Sequence, residues 1–301
     1  MTRTRSLLVI ADDFGIGTET SRGILDLAKL GRVTGTVLLV NSPYAEQAVD
    51  AWRAAERPLE VGWHPCLTLD RPILSPERVP SLVDANGKFQ SLGRFLCRSA
   101  LGRIDTAQVD QELRAQLERF IRLTGSPPRL VNFHHHLHVF PPVDRVVLQI
   151  LSELEPRPYL RRVTERFGVL CRVPGGRLKR LFLTWHGRRC GAALAKANLP
   201  TNETLAGIST PQSVLDPDYL RRWIRLVQGD VVELTCHPGH WDQTLVGRDC
   251  TPDDGRVQAR VEEFEHLSSL SFVQACQEAG LAITKPAEIL ARFPRSVKHA
   301  A

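Results

Sequence analysis

The 301-residue chain has no apolar run near the ~20 residues that a membrane-spanning helix needs, no CxxC pair, and no repeat of fixed period. The apolar stretch 7–11 behind the basic start Met-Thr-Arg-Thr-Arg is too short for the core of a signal peptide and runs into two aspartates. A cytoplasmic location is therefore expected. The cysteines (Cys66, Cys97, Cys171, Cys190, Cys236, Cys250 and Cys276) are odd in number and scattered. That argues against a disulfide framework and a structural zinc site, and marks most of them as buried thiols. With 43% hydrophobic and 24% charged residues, the chain is neither disordered, collagen-like nor a coiled coil. Acidic charge is missing from one region. Residues 157–189 hold ten Arg/Lys against Glu165 alone, a local +9 in a chain whose total is +6, so the remainder sums to −3.

What is present is an alternation of short β-branched or apolar runs with helical patterns. Strands are predicted at 7–11, 33–40, 59–63, 130–133, 159–163, 205–208, 231–236 and 281–284. The clearest helix is 105–123, where Val109, Leu113, Leu117, Phe120 and Ile121 fall on one stripe. Another spans 21–30, with Thr18 available as its cap and Gly31 as its stop. Such alternation argues for a parallel sheet with helical crossovers. About eight strands without a mid-chain linker predict one α/β domain over 1–301, a distorted (β/α) barrel of seven to eight mostly parallel strands. Two stretches break the rhythm. Residues 65–104 are proline-rich, with a turn at Asn86-Gly87, and residues 165–203 are basic, with Gly175-Gly176 and little periodicity. Long excursions in such a fold usually cover the active face.

Polar groups collect at strand ends. The first strand runs into Asp12-Asp13-Phe14-Gly15, the third into His64, the fourth into His134-His135-His136-Leu137-His138, and the seventh into Cys236-His237-Pro238-Gly239-His240. In a parallel barrel all C-terminal strand ends share one face, where active sites are built. Any one of these groups alone is ordinary: an Asp-Asp pair is usually a turn or cap, and a single histidine is usually structural. Their joint placement predicts a divalent-metal site. Imidazole with carboxylate suits zinc, manganese, iron or nickel, and more oxygen ligands would suit magnesium. One aspartate can hold the metal while its neighbour acts as a base. The Pro238-Gly239 turn after His237 would fix that imidazole's aim. His186, His266 and His299 fit no pattern and read as structural or solvated.

These motifs, in order, resemble the YdjC-like carbohydrate deacetylases: Ala11-Asp12-Asp13-Phe14-Gly15, the run 33–41, Val61-Gly62-Trp63-His64 with Leu67-Thr68, His-x-His-x-His at 134–138, and Glu233-Leu234-Thr235-Cys236-His237-Pro238-Gly239. The family includes chitooligosaccharide deacetylases and a branch associated with hopanoid biosynthesis. The resemblance implies a divalent cation, magnesium or zinc, and removal of the acetyl group from an N-acetylated amino sugar. It implies Asp13, His64 and His134 as metal ligands, with His136 or His138 able to take the place of His134, Asp12 as general base and His237 as the acid for the leaving amine. His136, His138, Phe14 and Glu233 would belong to the substrate pocket, and a homodimer is the family-level expectation. Where the family has Asp-Gly or Asp-Ser before the histidine run, this chain has Asn132-Phe133, and Pro65 replaces an apolar residue. Asparagine brings no carboxylate to orient a ligating histidine, so weaker support of the ligands is expected, with Phe133 near the metal. If the substrate is lipid-linked, the basic segment 157–189 could hold the enzyme at an anionic membrane. Nucleic acid is not expected, because no binding motif accompanies the charge. The rivals are a hydrolase of another bond, such as a phosphoester, which predicts basic residues at the metal, and a non-catalytic relic that binds a sugar or partner.

Overall fold

A computed structural model describes residues 4–293. His299 and the first three residues of the basic start lie outside this range. Eight strands carry the fold: β1 (Arg5–Phe14), β2 (Gly35–Leu38), β3 (Glu60–Trp63), β4 (Leu130–Val131), β5 (Tyr159–Leu160), β6 (Thr204–Ala206), β7 (Val231–Cys236) and β8 (Leu281–Ile283). Seven of them form one curled sheet in the order β5-β4-β3-β2-β1-β7-β6, β8 joins it by pairing with β1, and every pairing is parallel. The expected α/β barrel architecture is observed.

β1 is the axis of the sheet. One edge pairs with β7 from Ser6 to Ala11, while the other is shared: β8 takes Arg5 to Leu7 and β2 takes over from Ile10. Leu7, Leu8, Val9, Ile10 and Ala11 are all fully buried, the continuous apolar run of a parallel strand covered on both faces. Between β5 and β6 there is no ladder. Leu160 N donates to Pro200 O (2.9 Å) and Leu205 N to Thr164 O (2.8 Å), so loop backbone links the two outer strands.

The strong helix of the sequence is Thr106–Thr124, with Asp105 Oδ1 accepting from Ala107 N at 2.8 Å and Gly125 closing it at a φ of 87°. The first helix, Thr18–Lys29, corrects the expected cap. Thr18 is already helical and its hydroxyl pairs with Gln47. The orphan Thr20 N–H is instead satisfied by Asp242 Oδ2 at 2.8 Å, from far along the chain. The first excursion contains a bridge, Val83 to Phe89, around the Asn86-Gly87 turn, and a helix Leu92–Ala100. The second contains Phe167–Arg172 and the 20-residue helix Arg177–Lys196, which weak periodicity concealed. Among the described residues no helix is long and apolar enough to cross a membrane.

Candidate active site

Successive residues of a strand ordinarily face opposite sides, so Asp12 and Asp13 could not both serve one site on a regular β1. A bulge resolves this. The register against β2 slips between Ala11 and Phe14, and Asp13 takes a φ of 66°, the left-handed region that aspartate tolerates better than most residues. Both carboxylates thereby line the same cavity, of about 320 Å³, at the C-terminal ends of the strands.

Asp13 is the hub. Its Oδ1 lies 3.3 Å from His64 Nε2 and 3.1 Å from His134 Nδ1, and its Oδ2 accepts from Arg260 Nη2 at 2.7 Å. One ligating atom of each of Asp13, His64 and His134 falls within 4.8 Å of the others, and all three residues are buried. The chemistry of this set fits a cation. His64 Nδ1 faces the side-chain and main-chain oxygens of Asn132, so it carries the proton. Its Nε2 faces the Asp13 carboxylate, so a positive charge, a proton or a bound cation, belongs between the two.

Asn132 nonetheless reaches the ligating histidine. Its amide oxygen accepts from His64 Nδ1 and so fixes the ring's direction without a charge, and its Nδ2 donates to Asp12 Oδ1 at 3.0 Å. A carboxylate at this position could not make the second contact without binding a proton. Phe133 does not line the cavity. It is fully buried in the core, with its ring 6.3 Å from Trp63 and 5.3 Å from His138.

Asp12 has different partners. Arg161 grips it with Nη1 to Oδ2 (2.6 Å) and Nη2 to Oδ1 (2.7 Å), and Thr235 Oγ1 donates to Oδ2 at 3.1 Å. Burial alone would raise its pKa; the Arg161 guanidinium outweighs burial and holds it far below the usual carboxylate range. His237 Nε2 stands 4.0 Å from Asp12 Oδ2. Burial, with help from Arg260 and Lys179, holds that imidazole below its ordinary value although the side chain is 44% open onto the cavity. It is neutral at pH 7.

The histidine run fans out because His135 and His136 both take left-handed conformations, at φ of 55° and 56°. His134 meets Asp13, His135 Nδ1 meets Thr68 Oγ1 at 2.9 Å, and His136 lines the cavity with its buried Nδ1 unpartnered. Three expected pocket residues lie elsewhere. His138 turns away and donates from Nε2 to Arg161 O at 2.9 Å, supporting the strand behind the cavity. Phe14, just past the bulge, is fully buried in the core. Glu233 sits beneath Asp12, where it accepts from Arg161 Nε (2.5 Å) and Tyr159 OH (2.6 Å). His186 packs among Phe140, Phe182 and Trp185, and His266 faces Val214 O at 2.8 Å, consistent with structural roles.

Three functional residues emerge only from the structure: Arg161, Arg260 and Glu263. Basic residues do reach the cluster, the signature expected of a phosphoester site, but carboxylates engage both arginines. Arg161 is shared by Asp12 and Glu233, and Arg260 by Asp13 and Asp249. Glu263, on the helix Arg256–Ser268, accepts the His237 backbone N–H at 2.5 Å and so fixes the turn that aims the imidazole. Burial pushes its carboxyl up to about 7, against opposing pulls from the His237 N–H and Arg260. A carboxyl raised on folding contributes stability that is complete below its unfolded pKa and is lost as pH rises through about 7. The variant Glu263→Gln is accordingly expected to gain stability over the parent at pH 8, by up to about 3 kcal/mol. The difference should vanish near pH 4.5, as read by urea denaturation at the two pH values.

A curled parallel α/β sheet with a buried Asp/His/His cluster at its C-terminal strand ends defines a barrel protein with a candidate metal centre. The YdjC-like protein family model matches residues 6–278, and the chain belongs to that family. Relatives include proteins named chitooligosaccharide deacetylase from Yersinia pestis (strain Pestoides F) and Yersinia pseudotuberculosis serotype O:1b (strain IP 31758). Each is 30% identical over 278 residues, covering 91% of this chain and 95% of the relative. A crystal structure from Enterococcus faecalis V583, of a protein named as a candidate for cellobiose-phosphate cleavage, shares the fold. It superposes with a TM-score of 0.74 at 24% identity, covering 95% of this chain and 99% of that one.

Proposed function

We propose that the chain, acting as one domain over residues 1–301, is a cytoplasmic metal-dependent hydrolase that removes the acetyl group from an N-acetylated amino sugar. The observation that carries this reading is the Asp13/His64/His134 cluster set beside Asp12 and His237 in one cavity. The name chitooligosaccharide deacetylase, carried by the relatives, agrees with it. Asp13, His64 and His134 would hold the cation. One carboxylate and two imidazoles suit zinc, manganese, iron or nickel better than magnesium, which prefers oxygen. A cation bound there would polarise the amide carbonyl and acidify the attacking water.

The chain's own groups then manage the proton. Asp12, ionised at all working pH values, takes it from the attacking water. Neutral His237, 4.0 Å away, receives it from Asp12 and delivers it to the amine as the C–N bond breaks. Acetic acid and the free amine result, the acid's proton passes to the amine to give acetate and the ammonium form of the amino sugar, and both residues return to their starting states. His237 needs no proton from solvent beforehand, which reconciles its role as acid with its neutral form.

Leu92, Leu96, Phe140, Phe182, Ile208 and Val214 give the cavity an extended apolar wall. A bare oligosaccharide would leave that wall wet, so it favours an amino sugar linked to a lipid. The test is release of acetate or amine from N-acetylglucosamine, diacetylchitobiose and a lipid-linked N-acetylglucosamine. Each is assayed with metal-stripped protein and again with Mg²⁺, Zn²⁺, Mn²⁺ or Ni²⁺ restored. Metal-dependent release preferring the lipid-linked sugar is expected; no release from any of the three by metal-loaded protein would overturn the reading.

The ligand assignment has its own check. Asn132→Ala is expected to weaken Zn²⁺ binding roughly 10–100-fold, as loss of an orienting partner does, and His64→Ala to weaken it further. Calorimetric titration of the metal-stripped variants reads both. Equal affinities for the parent and His64→Ala would remove His64 from the site.

A further inference from the structure

The helix Arg177–Lys196 was hidden in the sequence because its apolar residues lie on two sides. Its inner side buries Leu183 and Leu194 against the core. Its outer side carries Leu178, Leu181, Phe182 and Trp185, spaced i, i+3, i+4 and i+7, a single stripe. Leu178 is 84% exposed and the other three are about half exposed, and Phe167 on the preceding helix is 70% exposed. Exposed apolar patches of this kind mark interaction surfaces.

The surrounding charge specifies the partner. No acidic residue occurs between Glu165 and Glu203. Glu165 is buried in an ion pair with Arg180, and Arg161 is engaged in the cavity, so neither arginine counts toward the surface charge. Six cations remain exposed beside the stripe: Arg166, Arg172, Arg177, Lys179, Arg188 and Arg189. An apolar stripe with an aromatic residue and a cationic border is the pattern of a helix lying in a membrane interface. The stripe also leads inward. Phe182 and Lys179 line the cavity, and the Phe182 ring stacks on Phe140 at 5.5 Å inside it.

We propose that the helix Arg177–Lys196, with Phe167, docks the protein on an anionic lipid bilayer and sets the mouth of the cavity at the headgroup level. The inference rests on the deacetylase reading only for its purpose, delivery of a lipid-linked amino sugar to the apolar wall. Each exposed cation near an anionic surface adds about fivefold to partitioning, and the stripe supplies the apolar contact.

Co-sedimentation of the metal-loaded protein with vesicles tests this without any turnover, so docking and deacetylation can fail separately. Binding to phosphatidylcholine vesicles containing roughly 30 mol% phosphatidylglycerol should exceed binding to phosphatidylcholine alone by at least about tenfold, and should fall at high salt. The triple variant Leu178→Glu, Leu181→Glu, Trp185→Glu should lose the binding. None of the three residues lines the cavity, so turnover of a soluble acetylated sugar, if the parent has it, should be retained along with the parent's melting temperature. No sedimentation of the parent with anionic vesicles would overturn the proposal. So would equal sedimentation of parent and triple variant. A parent that runs as a dimer, ignores vesicles, and becomes monomeric in the triple variant would reassign the stripe to a second copy of this chain.

Discussion

Asp12→Asn is expected to lower turnover by about 10²–10⁴-fold, the usual worth of a positioned proton acceptor, while metal content stays at the parent level. The geometry makes the variant informative. Asparagine keeps an oxygen for Arg161 and Asn132, but its amide cannot take a proton from the attacking water. Arg161 is left with Glu233 as its counter-charge, a neutral pair at 2.5 Å, so no uncompensated charge is buried. His64 and His134 contact Asp13, not Asp12, so Zn²⁺ titration should be unmoved. Activity within tenfold of the parent would transfer the acceptor role to His237, a neutral imidazole that lines the same cavity and lies nearest Asp12 Oδ2. Lost activity together with lost metal would instead mean that the two aspartates share one function.

The strands were legible because each is an apolar or β-branched run, and β7 matches its predicted bounds residue for residue. Topology then did the rest for Asp13, His64 and His134. Parallel strands put their C-terminal ends on one face, so residues distant in the chain could be expected to converge. Face assignment was harder. Glu233 and Thr235 alternate inward on β7, and only the upper one reaches the cavity, while the lower one holds Arg161 from beneath. Phe14 and His138 follow a bulge and a pair of left-handed residues, which turn them away in a manner that spacing does not reveal. Arg161 and Arg162 are adjacent in a segment read as an apolar strand, and nothing in one sequence says which faces inward. Arg260 and Glu263 sit on the buried side of a helix whose charged residues pattern-reading assigns to solvent. Their burial makes sense only opposite carboxylates and a backbone N–H that other segments supply.

Arg161→Met is the variant expected to cost the most stability. Its guanidinium is fully buried between Asp12 and Glu233, and removing it strands two carboxylates around one apolar side chain. Breaking a buried pair in this way costs about 3–5 kcal/mol, a fall of roughly 10 °C in Tm for a domain of this size. The sign of the pH dependence identifies the cause. In the parent, the depressed Asp12 contributes stability above its unfolded pKa that is lost only in strong acid. Glu233 behaves oppositely even there. Burial raises its pKa despite Arg161, because it receives one guanidinium contact while Asp12 receives two. Without Arg161, burial and mutual repulsion raise both carboxyls, and a raised carboxyl loses its stability contribution as pH climbs through the folded value. The deficit of Arg161→Met against the parent should therefore already be present near pH 5, where the parent keeps the full Asp12 contribution, and should grow further toward pH 8, as measured by denaturant titration. The same shift should reach the chemistry. Asp12 held protonated cannot accept from water, so kcat/KM of the variant should climb across the neutral range where that of the parent is set by the ionised carboxylate throughout. A deficit that is constant from pH 5 to pH 8 would show that Arg161 only fills space.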